Sequence, residues 1–269
     1  MGPVIVRPNE EYACYEGIPL RFDFFRPDAE RLLPLLVFIH GGGRISGDKT
    51  MYREEAAWGC AQGFACCCPE YRLAPLHPFP AAVWDVQTLI AHLRGRHEEL
   101  GIQPDRIAVV GNSAGGHLAA MTALLTEPLT VEDTAPTDLP PSAAVQANAA
   151  VALCPITNLV EPESTHYAIA MEFLEQFIGC GFAECPERWR LASPLSHVTS
   201  ASAPMFIAHG ENDDIVPPAQ SQALCDALAS AGVRHECLLL PHEGHSFTIE
   251  AWQFLRDRYL QWLRSVLEL

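Results

Sequence analysis

Residues 106–121 constrain the fold more than any other stretch of the chain. Ile107, Ala108, Val109 and Val110 form a continuous apolar run that reads as a buried central strand. With no spacer it meets Gly111-Asn112-Ser113-Ala114-Gly115, and the small residues that follow, from Gly116 to Met121, read as a helix packed on a sheet. A strand that becomes a helix at once forces the residue at the turn into a strained conformation. Its neighbours two positions away can carry almost no side chain if the backbones are to pass. G-x-S-x-G is the mark of such a turn, and it lifts Ser113 clear of the sheet above the positive end of a helix.

The rest of the chain supplies the sheet. Residues 35–39 and 64–68 are further apolar strand candidates, as are 149–153, 204–208 and 235–240. Between them Val83, Val86, Leu89, Ile90 and Leu93 recur at helical spacing within 81–97, and helices are expected at about 48–62, 220–231 and 248–267. Strands that alternate with helices after residue 35 imply an α/β fold: a mostly parallel sheet covered on both faces. Residues 1–34 read as an entry ribbon with short strands at 12–15 and 20–25, residues 101–106 as a turn, and 126–147 as a loop. One domain over 1–269 is expected, with a lid insertion at about 157–203 whose aromatic residues face a pocket or the core.

Charge narrows the function. The formal charge is −16, from 17 Lys+Arg against 33 Asp+Glu, which disfavours a nucleic-acid partner and mildly favours neutral substrates over anionic ones. No apolar run reaches membrane-spanning length and no leader pattern opens the chain, so no membrane partner and a cytoplasmic location are expected. The ten cysteines show neither metal-ligand spacing nor a disulfide framework. Cys66, Cys67 and Cys68 read as buried thiols in a strand, and Cys180 and Cys185 share a loop where an oxidising compartment would permit a bridge.

Polar residues gather just beyond the strand ends, where ligands of such sheets collect. Ser113 follows one strand, Asp213 and Asp214 another, and His242 and His245 the last. The order Ser, Asp, His is that of an α/β-hydrolase, and the chemistry it supports is acyl transfer through a serine activated by a histidine that an acid orients. Spacing alone leaves both acids and both histidines open. His40-Gly41-Gly42-Gly43 ends the strand at 35–39 and presents backbone N–H groups unobstructed, as an oxyanion needs.

The motifs together resemble the hormone-sensitive-lipase-like and neighbouring feruloyl-esterase-like (BD-FAE-like) α/β-hydrolases. The resemblance runs from His40 to about Phe247. It rests on His40-Gly41-Gly42-Gly43, Tyr71-Arg72-Leu73-Ala74-Pro75, Phe79-Pro80-Ala81-Ala82 with Asp85, Gly111-Asn112-Ser113-Ala114-Gly115-Gly116, His209-Gly210-Glu211-Asn212-Asp213 with Val216-Pro217, and Gly244-His245-Ser246-Phe247. It implies Ser113, Asp213 and His245 as catalytic residues and the amides of Gly42, Gly43 and Ala114 as oxyanion donors. It also implies a shaping role for His40, a structural Arg72–Asp85 pair, and neither metal nor organic cofactor. Only about forty residues precede His40, fewer than the helical cap of hormone-sensitive-lipase-like members needs, so a more open pocket is expected. Asn112 in place of the aspartate common in that group leans toward the feruloyl-esterase-like side.

The implied function is hydrolysis of a small-molecule ester with a small neutral or aryl acyl group, by a monomer or homodimer. Two other readings use the same residues: an arylformamidase-like amidase or acyl-peptide-type peptidase, and a non-catalytic ligand-binding protein on the same scaffold.

Overall fold

A computed structural model describes residues 3–132 and 144–269. The chain runs β1 (Val4–Tyr15), β2 (Ile18–Pro27), β3 (Leu33–Ile39), α1 (Arg53–Ala61), β4 (Ala65–Pro69), α2 (Ala81–Gly95), α3 (His97–Leu100), β5 (Ile102–Asn112) and α4 (Ala114–Leu124). It continues with β6 (Ala149–Leu153), α5 (Pro162–Thr165), α6 (Ala168–Ile178), α7 (Pro186–Ala192), β7 (Met205–Gly210), α8 (Ala219–Ser230), β8 (His235–Leu240) and α9 (Ile249–Val266). The strands form one sheet in the order β1-β2-β4-β3-β5-β6-β7-β8. From β4 to β8 all neighbours are parallel, and β2 runs against both β1 and β4.

Alternation along β3 shows how the sheet is covered. Leu35, Val37 and Ile39 belong to one apolar cluster with residues of α2, α4 and α8, whereas Leu36 and Phe38 belong to another with α1 and α9. Every residue of β3 is buried, as a strand between two helical layers requires. α9 presents Leu255, Tyr259, Trp262 and Leu263 to the second layer and leaves its opposite side to solvent. Thr248 caps it by accepting from the Ala251 amide.

Three expectations change. The ribbon strands are longer than the sequence suggests, because β1 crosses the turn-forming Pro8 and Asn9 with register shifts between Arg7 and Glu10 and between Glu11 and Ala13. Residues 101–106 are a turn only at Gly101, since Ile102 already pairs with Leu33. Two disulfides, Cys180–Cys185 and Cys225–Cys237, replace the absence of a framework, and the second joins α8 to β8. Cys66, Cys67 and Cys68 are buried free thiols. Of the loop expected at 126–147, residues 133–143 lie outside the described residues. Among the described residues no helix is long and apolar enough to cross a membrane.

Candidate active site

Ser113 stands between β5 and α4 with φ 57° and ψ −119°, a left-handed backbone that a serine rarely adopts. Glycine makes the turn possible. A Cβ on Gly111 would lie 2.2 Å from the Gly115 carbonyl oxygen, and one on Gly115 would lie 2.1 Å from that of Ile39. The first turn of α4 therefore rests directly on the ends of β5 and β3. Ser113 accepts the His117 amide through its carbonyl at 2.9 Å, so its hydroxyl sits at a helix start.

His245 reaches the same point from the loop after β8. Its Nε2 is 2.9 Å from Ser113 Oγ, and its Nδ1 is 2.6 Å from Asp213 Oδ2. Asp213 follows β7 and is buried, while the adjacent Asp214 and the competing His242 are both exposed. The turn at 213–216 decides between the two acids: the amides of Ile215 and Val216 donate to Asp213 Oδ1 at 2.9 and 2.8 Å. The loops after β7 and β8 are tied by a hydrogen bond from the Asn212 amide to the Glu243 carbonyl, at 2.8 Å.

Behind Asp213 lies a second imidazole that spacing did not single out. His209 Nε2 stands 3.0 Å from both Asp213 Oδ2 and the Val216 carbonyl oxygen, so it carries a proton, and Nδ1 is 2.7 Å from Ser221 Oγ. One carboxylate oxygen is thus shared by two imidazoles, each with a serine hydroxyl on its far side. The signal was a histidine in the otherwise apolar Met205–Gly210 strand, four residues before the acid. Burial opposes ionisation of Asp213, but hydrogen bonds from His209, His245 and Val216 outweigh it and hold the carboxyl well below the usual range.

Cys154, His209 and Asp213 place potential ligand atoms within 4.8 Å of one another. Their chemistry does not suit a metal. His209 Nε2 is protonated, both carboxylate oxygens already accept, and burial pushes the Cys154 thiol well up, keeping it neutral.

The loop after β3 completes the site. Gly42 has φ 104°, and a Cβ there would lie 2.3 Å from the Ser46 carbonyl oxygen. Among the described residues no backbone acceptor takes the N–H of Gly42, Gly43 or Ala114. His40 holds the loop's shape: its ring stacks on Tyr71 at 4.2 Å and its Nδ1 lies 2.8 Å from the Gly41 carbonyl oxygen. Tyr71 in turn donates to the His40 carbonyl at 2.9 Å. Arg72 grips Asp85 through Nη2 at 2.7 Å, Nε at 3.0 Å and its own amide at 2.7 Å, away from the serine's hydrogen bonds. α6 overlies the glycine loop, for a Cβ on Gly43 would be 3.9 Å from Phe173 Cδ1. Tyr167 donates to the Asp213 carbonyl at 3.3 Å.

The sequence model of the family described as BD-FAE matches residues 22–228. The chain belongs to the BD-FAE family. Two curated relatives of this family member come from Mycobacterium tuberculosis. Esterase LipQ is 33% identical over 231 residues, which are 84% of this chain and 53% of LipQ. Esterase LipC is 29% identical over 219 residues, 80% of this chain and 53% of LipC. The chain spans about half the length of these curated relatives. Among solved structures, a truncated carbohydrate esterase from gut microbiota superposes with TM-score 0.83 at 21% identity, covering 98% of this chain and 97% of that one. Butyrate-bound Est2, an esterase of Thermogutta terrifontis, gives TM-score 0.79 at 25% identity, covering 96% and 93%. The BD-FAE chain has the α/β-hydrolase fold.

Proposed function

We propose that this chain is a serine carboxylic-ester hydrolase that acts on small-molecule esters as a monomer or homodimer, with Ser113, His245 and Asp213 as its catalytic residues. The observation that carries the reading is the unbroken hydrogen-bonded line from Ser113 Oγ through the His245 ring to Asp213, at 2.9 and 2.6 Å. The names of LipQ and LipC, both esterases, agree with it.

In the first half-reaction Ser113 Oγ attacks the acyl carbon while His245 Nε2 takes its proton. The carbonyl electron pair moves onto oxygen, facing the amides of Gly42, Gly43 and Ala114. Collapse expels the alkoxide, which takes the proton from His245 and leaves as the alcohol. Water repeats the sequence on the acyl-enzyme, releasing the carboxylic acid and restoring Ser113. Asp213 stays ionised throughout and stabilises the imidazolium. Burial of Asp213 keeps that charge undiluted by solvent.

Residues 157–203 serve as a lid over a small acyl pocket. α6 lies across the glycine loop, and Tyr167, Ile169 and Phe173 remain partly exposed on it, as suits a flap shared between pocket and solvent. Butyrate bound to Est2 agrees with a short acyl group.

A panel of matched esters and amides, with Ser113→Ala as the blank, tests the reading. Turnover of esters is expected to fall by about a thousandfold or more in the variant. A blank as active as the parent would remove Ser113 from the chemistry. Faster cleavage of the amides would favour the amidase reading, and the absence of a covalent phosphonate adduct would favour the non-catalytic one. The cytoplasmic location expected from the sequence is opposed by the two bridges, which belong to an oxidising compartment. Thiol counting on protein trapped in its native cell separates the two: ten free thiols for the cytoplasm, six if both bridges are formed.

A further inference from the structure

Directly after the glycines of the β3 loop stands Arg44, whose side chain is among the most completely buried in the molecule, at 1% exposure. Its guanidinium lies 4.0 Å above the Phe177 ring of α6. Nε and Nη1 are buried without a hydrogen-bond partner, and among the described residues no carboxylate forms an ion pair with it. Burial lowers the group to about 10, against a lesser opposing influence of Tyr71, which leaves it cationic at neutral pH. Its backbone is strained as well, at φ 66° in a residue that is not glycine.

The surrounding imidazoles do not supply the missing charge. His117, whose ring meets Phe177 at 5.4 Å, has Nε2 2.8 Å from the Ala192 carbonyl oxygen, and His166 has Nε2 2.8 Å from that of Asn158. Both rings therefore carry their proton on Nε2 and leave a buried Nδ1 without a partner. Burial first, and the charge of Arg44 second or third among the causes, keeps both neutral. A buried cation with no anion of its own is costly, and it becomes favourable when a ligand brings the opposite charge.

Position says which part of a substrate meets it. His245 approaches Ser113 from the β8 side of the sheet, and the leaving alcohol must lie against its Nε2 to take the proton. An acyl group that extends the other way runs toward the loop that follows β3, which carries Arg44 and lies against α6. Building on the ester-hydrolase reading, we propose that Arg44 is the recognition point for an acyl group that ends in a carboxylate, so that the substrates include half-esters of short dicarboxylic acids. A single buried cation at the site outweighs the diffuse repulsion of an acidic surface, which salt screens.

Monomethyl glutarate and methyl pentanoate test this, since their acyl chains match except that one ends in a carboxylate and the other in a methyl group. Acid release is followed at constant pH for the parent, Arg44→Met and Arg44→Lys. The parent is expected to favour the glutarate half-ester by about tenfold or more in kcat/KM, because a charge-assisted bond forms with one substrate alone. Arg44→Met abolishes that preference and changes the neutral ester by less than about threefold, whereas Arg44→Lys keeps part of it. Equal losses on both esters would overturn the proposal, since Arg44 would then serve the shared oxyanion or the scaffold. In parallel, glutarate is titrated calorimetrically into Ser113→Ala protein, which turns nothing over and needs no change at Arg44. Binding supports the site even if the parent hydrolyses no ester, in which case the hydrolase reading alone falls. Hydrolysis of methyl pentanoate with neither half-ester preference nor glutarate binding overturns the site and leaves the hydrolase reading standing.

Discussion

Two arginines follow the ends of neighbouring strands, Arg44 after β3 and Arg72 after β4, and they are met in opposite ways. Arg72 and Arg44 each lie 4.0 Å above an aromatic ring, Tyr15 in one case and Phe177 in the other. Arg72 is met by Asp85, which is fully buried and accepts from both the guanidinium and the Arg72 amide. Arg44 is more deeply buried and is met by no acid. The same residue type, in similar aromatic company, is a structural clamp when the chain supplies its counter-charge and a standing liability when it does not. Liabilities of this kind concentrate where a ligand completes the site.

That contrast breaks or sharpens under substitution. The largest effect is expected at Asp85→Asn, which strands the Arg72 charge and costs about 3–5 kcal/mol in urea unfolding, whereas Arg44→Met should stabilise the protein by about 1 kcal/mol or more. Losses of similar size in both variants would erase the distinction between clamp and liability.

A smaller effect concerns pH. Burial, and to a lesser degree Arg44, lowers His166 from 6.5 to about 4, so between these values the unfolded chain binds a proton that the folded protein does not. Stability therefore falls as pH drops from 6.5 to about 4, and the slope should be shallower in His166→Gln. Melting temperatures across that window check it, and parallel slopes in the two proteins would count against a buried neutral ring.

Much of this is legible in the sequence. The β5–Ser113–α4 turn announces itself because a buried strand, a glycine pair and a small-residue helix start each impose a separate local demand. Helix faces such as Val83, Val86 and Leu93 follow from periodicity alone. Less legible was β1, an edge strand whose mostly exposed residues leave no two-fold pattern to read. Asp213 and Asp214 are chemically identical neighbours that spacing alone leaves open; the resemblance points to Asp213, and the turn that aims two amides at its carboxylate gives the physical difference. The Cys225–Cys237 bridge joins a helix to a strand across twelve residues, and nothing local marks the pair. Nothing local marks Arg44 either, because its burial is created by α6, more than a hundred residues further along the chain.

The crowding around Ser113 limits how such a molecule can diversify. At Gly111, Gly115 and Gly116 even a methyl group would meet backbone at 2.2, 2.1 and 2.7 Å, so mutation has nowhere to go in that quarter. Any descendant with a new diet must acquire it through the segment between β6 and β7 or through the residues that trail the β3 glycines. Room for variation is thereby confined to the rim.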